Sequence, residues 1–155
     1  MSRVGGDESY LVLVSCSKSK QDGRHLGRDL YEPSRIFRKR REYARERGDR
    51  WGILSARFGF IQPWDDVPYY QTHISERSDV WGAFVLSKLE PVINYHEIET
   101  VTILAGQRYI DPIEGQLSEW GCKVRNPNEG LRPGERYSAL VDELQSGEQS
   151  TLESY

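Results

Sequence analysis

Two rhythms of apolar positions alternate along the chain. Residues 10–16, "YLVLVSC", are apolar and β-branched almost without interruption, the pattern of a strand covered on both faces. A loop rich in Gly and Arg follows. "SRIFRKRREYARER" then repeats apolar residues at helical spacing through Ile36, Phe37, Tyr43 and Ala44, with Ser34 placed to cap its start and Gly48 to stop it. "RWGILSA" predicts a second strand ending at Ser55, and "RFGFIQPWDDVPYYQTH" a long loop with two prolines. Helical spacing returns from Ser75 to about Tyr95, with Pro91 a candidate kink.

"TVTILAG" predicts the third buried strand and "YIDPIEGQLSEWG" a helix ending at Gly121. "CKVRNP" predicts a fourth strand broken by Pro127. "PGERYSALVDEL" predicts a closing helix with Pro133 in its first turn. The expected organisation is one domain over 1–145 and a flexible polar tail over 146–155. Strands and helices in strict alternation predict an α/β fold: a three-layer α/β/α sandwich around a four-stranded parallel sheet. Ligands of such folds lie beyond the carboxyl ends of the strands. "SCSKSK", "SARFGF", "AGQRY" and "NPNEGLRPG" are therefore the candidate site loops.

Composition narrows the class only slightly. The 155 residues are 37% hydrophobic and 29% charged, ordinary for a globular domain. No apolar run is long enough for a membrane span, and the N-terminal residues lack a signal peptide's apolar core, so a cytoplasmic location is expected. Cys16 and Cys122 form no CxxC pair, and His25, His73 and His96 share no ligand spacing. No metal or other cofactor is expected. The net charge of −3 hides a marked asymmetry: Met1 to Arg57 holds 14 Lys/Arg against 8 Asp/Glu, and the remainder is acidic. One basic face on an acidic body suits a polyanionic partner, because phosphate binding follows local rather than total charge.

The loops carry the chemistry. Ser15, Cys16, Ser17, Lys18 and Lys20 offer hydroxyls, a thiol and two ammonium groups for an anion, with neither a P-loop nor a dinucleotide fingerprint present. A polar turn with solvated lysines is the plainer account of the same residues. In the second loop Phe58 and Tyr69 are candidates for stacking on a nucleobase, and Asp65 and Asp66 for orienting water or stabilising a cation. Gly106 permits close backbone approach, Gln107 can read a base edge, and Arg108 and Tyr109 follow. Asn126 and Arg132 in the fourth loop can meet a base or a phosphate. Arg35 and Arg38 belong to an arginine-dense helix face that can track a nucleic-acid backbone, although most such faces are simply solvated.

The ordered set "SCSKSK", "RDLYEPSRIFRKRREYA", "WGILSARFGFIQPWDDVPYY", "ILAGQRY" and "NPNEGLRPGER" resembles a family of small bacterial and phage domains. That family is marked by SCSKxK, an LYxSxxF helix start, a WxILSAxxGL strand and a PYD-type loop. The resemblance spans residues 11–144. It extends to glycosylase-like domains joined to archaeal tRNA-modifying transglycosylases, to anti-phage DNA glycosylases that remove glucosylated bases and, more remotely, to the uracil-DNA glycosylase superfamily. It implies that superfamily's fold and a DNA N-glycosylase acting on a modified, phage-type base in antiviral defence. Ser15, Cys16, Ser17, Lys18, Tyr69, Gly106, Tyr109 and Asn126 match its site positions. This chain departs from the pattern at Tyr70, where the family often carries Asp, so the resemblance leaves Asp66 or Asp65, with Asn126, as the catalytic groups. A non-catalytic module that binds a nucleotide or modified base, and a nucleoside or sugar-phosphate transferase, are the alternative expectations.

Overall fold

The computed structural model describes residues 9–74 and 80–153. Its central sheet has five strands in the order β4-β3-β1-β6-β7. The strands are β1 (Tyr10–Ser15), β3 (Arg50–Ser55), β4 (Gly59–Ile61), β6 (Thr100–Leu104) and β7 (Lys123–Arg125). β3, β1, β6 and β7 run parallel, as expected for buried apolar runs, with Leu13 opposite Gly52 on one side and Ile103 on the other. The fifth strand is a correction to the expected four-stranded parallel sheet. β4 turns back antiparallel on β3, pairing Leu54 with Phe60, so the sheet is mixed. Gly59 makes that return possible, because its φ of +77° suits a residue without Cβ.

Side chains alternate along the central strands and divide the core in two. Leu11, Leu13, Val101 and Ile103 join Trp81, Val85, Ile110 and Ile113 on one face. Val12, Val14 and Leu104 join Phe37, Tyr43, Ala44 and Leu140 on the other. The first face is covered by α3 (Val80–Tyr95) and α4 (Gln107–Glu119), the second by α2 (Arg35–Arg47) and α5 (Pro133–Glu153). Helices thus cover both sides of the sheet. α2 starts and stops as its sequence predicts: Ser34 Oγ accepts from Phe37 N, and Gly48 N–H closes the last turn on Ala44 O. The predicted start of α3 at residues 75–79 lies outside the described residues. α5 runs to Glu153, through most of the stretch expected as a tail.

The long second loop holds more structure than its composition suggests. β5 (Asp66–Pro68) pairs antiparallel with β2 (Arg24–Leu26), and a single turn, α1 (Gly27–Leu30), follows β2. This two-stranded ribbon ties the segment after β1 to the segment after β4. Gly27 N–H donates to Asp65 O and Arg28 N–H to Pro63 O. Gly27 is packed so closely that a Cβ would stand 2.8 Å from Gln62 O and from Ile61 Cγ2.

Candidate functional site

Sheet order places the site. The chain winds outward from β1 to β3, then returns to add β6 on the opposite side of β1. The loops leaving β1 and β6 therefore part at a topological switch point, where α/β sheets hold their ligands. Here they meet side chain to side chain, with Cys16 Sγ 3.4 Å from the Tyr109 hydroxyl. Ala56 N–H, at the end of β3, also points at the sulfur, 3.5 Å away. Above them opens a cleft of about 1050 Å³, lined by Cys16, Ser17, Lys18, Ser19 and Lys20 on one side and by Tyr69, Gln71, Thr72 and His73 on another. Pro33 and Tyr109 complete the lining.

Hydroxyls and rings fix the floor of this cleft. Ser34 Oγ donates to Ser17 Oγ at 2.9 Å while accepting from α2, so the helix cap and the first site loop share one hydrogen-bond chain. Tyr31 and Tyr70 are both buried, and their hydroxyls hydrogen-bond each other. Ser55 Oγ donates to the Tyr70 hydroxyl at 2.9 Å and receives Phe58 N–H at 3.0 Å. The Lys20 ammonium stands 4.5 Å from the centre of the Tyr70 ring and 6.0 Å from that of Tyr31. Burial lowers the Lys20 pKa from the ordinary lysine value. Burial raises those of Tyr31, Tyr70 and Tyr109, so all three phenols are protonated at neutral pH.

The candidate residues divide by position. Cys16, Ser17, Lys18, Lys20, Tyr69 and Tyr109 come together at the cleft. Ser15 lies just beneath it and is spent on Arg40, whose Nη1 donates to Ser15 Oγ at 2.7 Å. Phe58 packs edge-on against Tyr70 at 5.3 Å, supporting the floor. Gly106 caps α4, while Gln107 is exposed and bonded to Asp111 at 2.6 Å. Arg108 and Arg132 are exposed. Asn126 is half-buried just beyond β7, with both side-chain polar atoms unpartnered.

The acid pair is placed differently from its expected role. Asp66 forms an ion pair with Arg24 across the ribbon at 2.9 Å, both side chains being 62% exposed. Asp65 accepts from Gln62 N at 2.8 Å to close its turn. Neither lines the cleft, and no carboxylate does among the described residues. Tyr70, standing where the resembled family often carries Asp, is buried in the hydroxyl chain. Arg35 and Arg38 line a second, open groove of about 510 Å³ on the outer face of α2, where Arg35 stacks on Tyr137 at 3.8 Å.

Four contributors lie outside the candidate site residues: Tyr31, Ser34 (expected only as a helix cap), Tyr70 (expected only as a departure from the family pattern) and Arg40. One signal for the last was present. Phe37, Arg40, Tyr43 and Ala44 share the buried face of α2, so the spacing itself sets an arginine among apolar positions. Among the described residues there is no group of three or more potential metal ligands and no helix long and apolar enough to cross a membrane.

Comparison with curated proteins and with solved structures finds no match. A family model described as a family of unknown function, DUF6884, matches residues 11–142. That span holds every strand of the fold except the first residue of β1, and the whole lining of the cleft. The chain belongs to the DUF6884 family.

Proposed function

We propose that the cleft holds a nucleotide and that the protein is a DNA N-glycosylase, taking a modified base out of the duplex and cutting its bond to the sugar. One observation carries the reading. The lysine- and hydroxyl-bearing loop after β1 and the aromatic rings of Tyr69 and Tyr109 line one cleft of about 1050 Å³. Cations and hydroxyls suit phosphate, and rings suit a base that has left its stack. The four parallel strands with helices on both faces agree with the uracil-DNA-glycosylase-like fold that the sequence motifs imply.

On this reading the base lies against Tyr69, and Lys20, held over the two phenol rings, faces it. The bond between C1′ and the base nitrogen breaks with its electron pair staying on the base. Negative charge grows there, and an ammonium group beside it lowers the barrier. Water adds to C1′ and gives up a proton, the base takes one, and the products are free base and an abasic site. The Ser17 hydroxyl, held by Ser34, is one polar group of the lining that can orient that water. Lys18 and the α2 groove, with Arg35 and Arg38, take flanking phosphates.

A second reading has its own support. The absence of a carboxylate from the described cleft lining favours a module that binds a modified base without cutting. One experiment separates the two. The protein is incubated with unmodified, uracil-containing and glucosylated DNA, and released bases are measured by mass spectrometry beside binding to the same DNA. Release that disappears in Lys20→Ala supports the glycosylase. Binding without release supports the module, and neither binding nor release rejects both.

A further inference from the structure

Arg40 reaches from the middle of α2 to the carboxyl end of β1 and is only 5% exposed. Its hydrogen bond there, from Nη1, goes to a neutral partner, the Ser15 hydroxyl. Nε is buried without a partner, and no carboxylate lies within ion-pair distance of the guanidinium among the described residues. The Tyr109 phenol faces it uncharged, and Cys16 directs its sulfur toward Tyr109 and Ala56.

A second arginine stands near. Arg136 of α5 donates from Nε to Leu131 O at 2.9 Å, which holds it against the loop after β7. Burial, then repulsion by Arg136, pushes the Arg40 pKa down to about 10, which leaves the group charged at neutral pH. Burying a cation with no countercharge costs several kcal/mol, and a like charge alongside adds to that. The loop that holds Arg136 shows the same unmet demand: both polar side-chain atoms of Asn126 and of Asn128 are buried and lack a hydrogen bond. Gly106, just after β6, carries no Cβ on the side facing Arg136. A Cβ there would approach Arg136 Nη1 at 3.7 Å and meet no other atom within 4 Å outside its chain neighbours.

We infer that Arg40 and Arg136 form the seat of a phosphate group at the carboxyl ends of β1 and β6. This deepens the nucleotide reading by assigning the phosphate subsite to two residues outside the candidate site set. A tetrahedral oxyanion supplies the missing countercharge to both guanidiniums, whose planar donor forks suit bidentate contact. Gly106 keeps a side chain from standing against Arg136 there.

The test uses the full chain and inorganic phosphate as the probe, with thermal unfolding at pH 7 in phosphate and in chloride at matched ionic strength. Phosphate is expected to raise the midpoint beyond chloride, with an affinity at least tenfold weaker in Arg136→Gln. Arg40→Gln is expected to lose the response and, without phosphate, to unfold no earlier than the parent. Should Arg40→Gln not fold, Arg136→Gln alone decides. No advantage of phosphate over chloride, or an unchanged response in Arg136→Gln, overturns the seat. Deoxynucleosides and their 5′-monophosphates form the second arm. Equal binding of both, with no phosphate response, removes the seat and leaves the base side of the cleft standing. A phosphate response lost in Arg136→Gln, with no deoxynucleoside bound, upholds the seat and removes the nucleotide reading.

Discussion

Tyr31 and Tyr70 are 39 positions apart in the chain, yet their buried hydroxyls bond directly to each other beneath the Lys20 ammonium. The contact joins the turn before α2 to the segment after β5, and Ser55 Oγ extends it to the end of β3. Two segments that line the cleft and the end of β3 are therefore held by one hydroxyl chain. Networks of this kind are stabilising when every member is satisfied and costly when one is removed.

Removing one hydroxyl tests that linkage. Tyr70→Phe keeps the ring contacts with Phe58 and Lys20 but strands the Tyr31 and Ser55 hydroxyls in the interior. The expected loss is about 1–3 kcal/mol of unfolding free energy, measured by urea denaturation. A change well below ~0.5 kcal/mol would mean that the chain of hydroxyls contributes little to holding the cleft.

Lysine charge gives the cleft a pH signature. Burial lowers the Lys20 pKa, so its positive charge is lost earlier than an exposed lysine's as pH rises. Affinity for a 5′-mononucleotide is expected to start falling at a lower pH than the discharge of an exposed lysine would give. Lys20→Arg keeps its charge throughout and should flatten that fall. Parallel profiles for the parent and Lys20→Arg, from calorimetric titration, would place the cation that matters elsewhere.

Asp65 and Asp66 lend themselves to a direct trial. The Asp66–Arg24 pair is solvent-exposed, so Asp66→Asn is expected to change stability by less than about 1 kcal/mol. Base release or DNA binding should persist within about threefold in both Asp65→Asn and Asp66→Asn, because neither side chain lines the cleft. A loss of about a hundredfold at unchanged stability would restore the acid pair to the chemistry.

The two thiols should behave differently toward an alkylating reagent. Cys16 is half-buried on the cleft lining, whereas Cys122 is buried, and that burial raises its pKa. Burial of Cys122 both shields its sulfur and disfavours its thiolate, so reaction at Cys16 is favoured. Iodoacetamide applied to the folded protein is expected to modify Cys16 first, read by peptide mass spectrometry, and a bound nucleotide should slow that reaction. Faster labelling of Cys122 would contradict the placement of both.

The parts of this fold that the sequence announces are those with long or capped patterns. β1, β3 and β6 are continuous apolar runs, and α2 carries Ser34 and Gly48 at its ends. β2, β4 and β5 are three residues each, too short for a period of two to register, and two of them pair far across the chain. The cleft was legible as loops but not as roles. SCSKSK and Tyr109 could be placed at strand ends, since strand ends follow from the pattern. Whether Tyr70 or Asp66 turns inward depends on the ribbon pairing of β2 with β5, which no local pattern encodes. Arg40 sits in a run of arginines whose charge predicts solvent exposure, and only its position on the buried face of α2 sets it apart.

The brevity of the outermost strands has a consequence for the protein in a crowded cell. β4 and β7 each span only three residues. A foreign strand arriving at either margin finds too short a row of backbone donors and acceptors to take hold, and at β7 it meets the exposed side chains of Lys123 and Arg125 as well. Fibrous growth by sheet extension is thus discouraged from both sides, leaving the central strands to carry their load of apolar side chains in isolation.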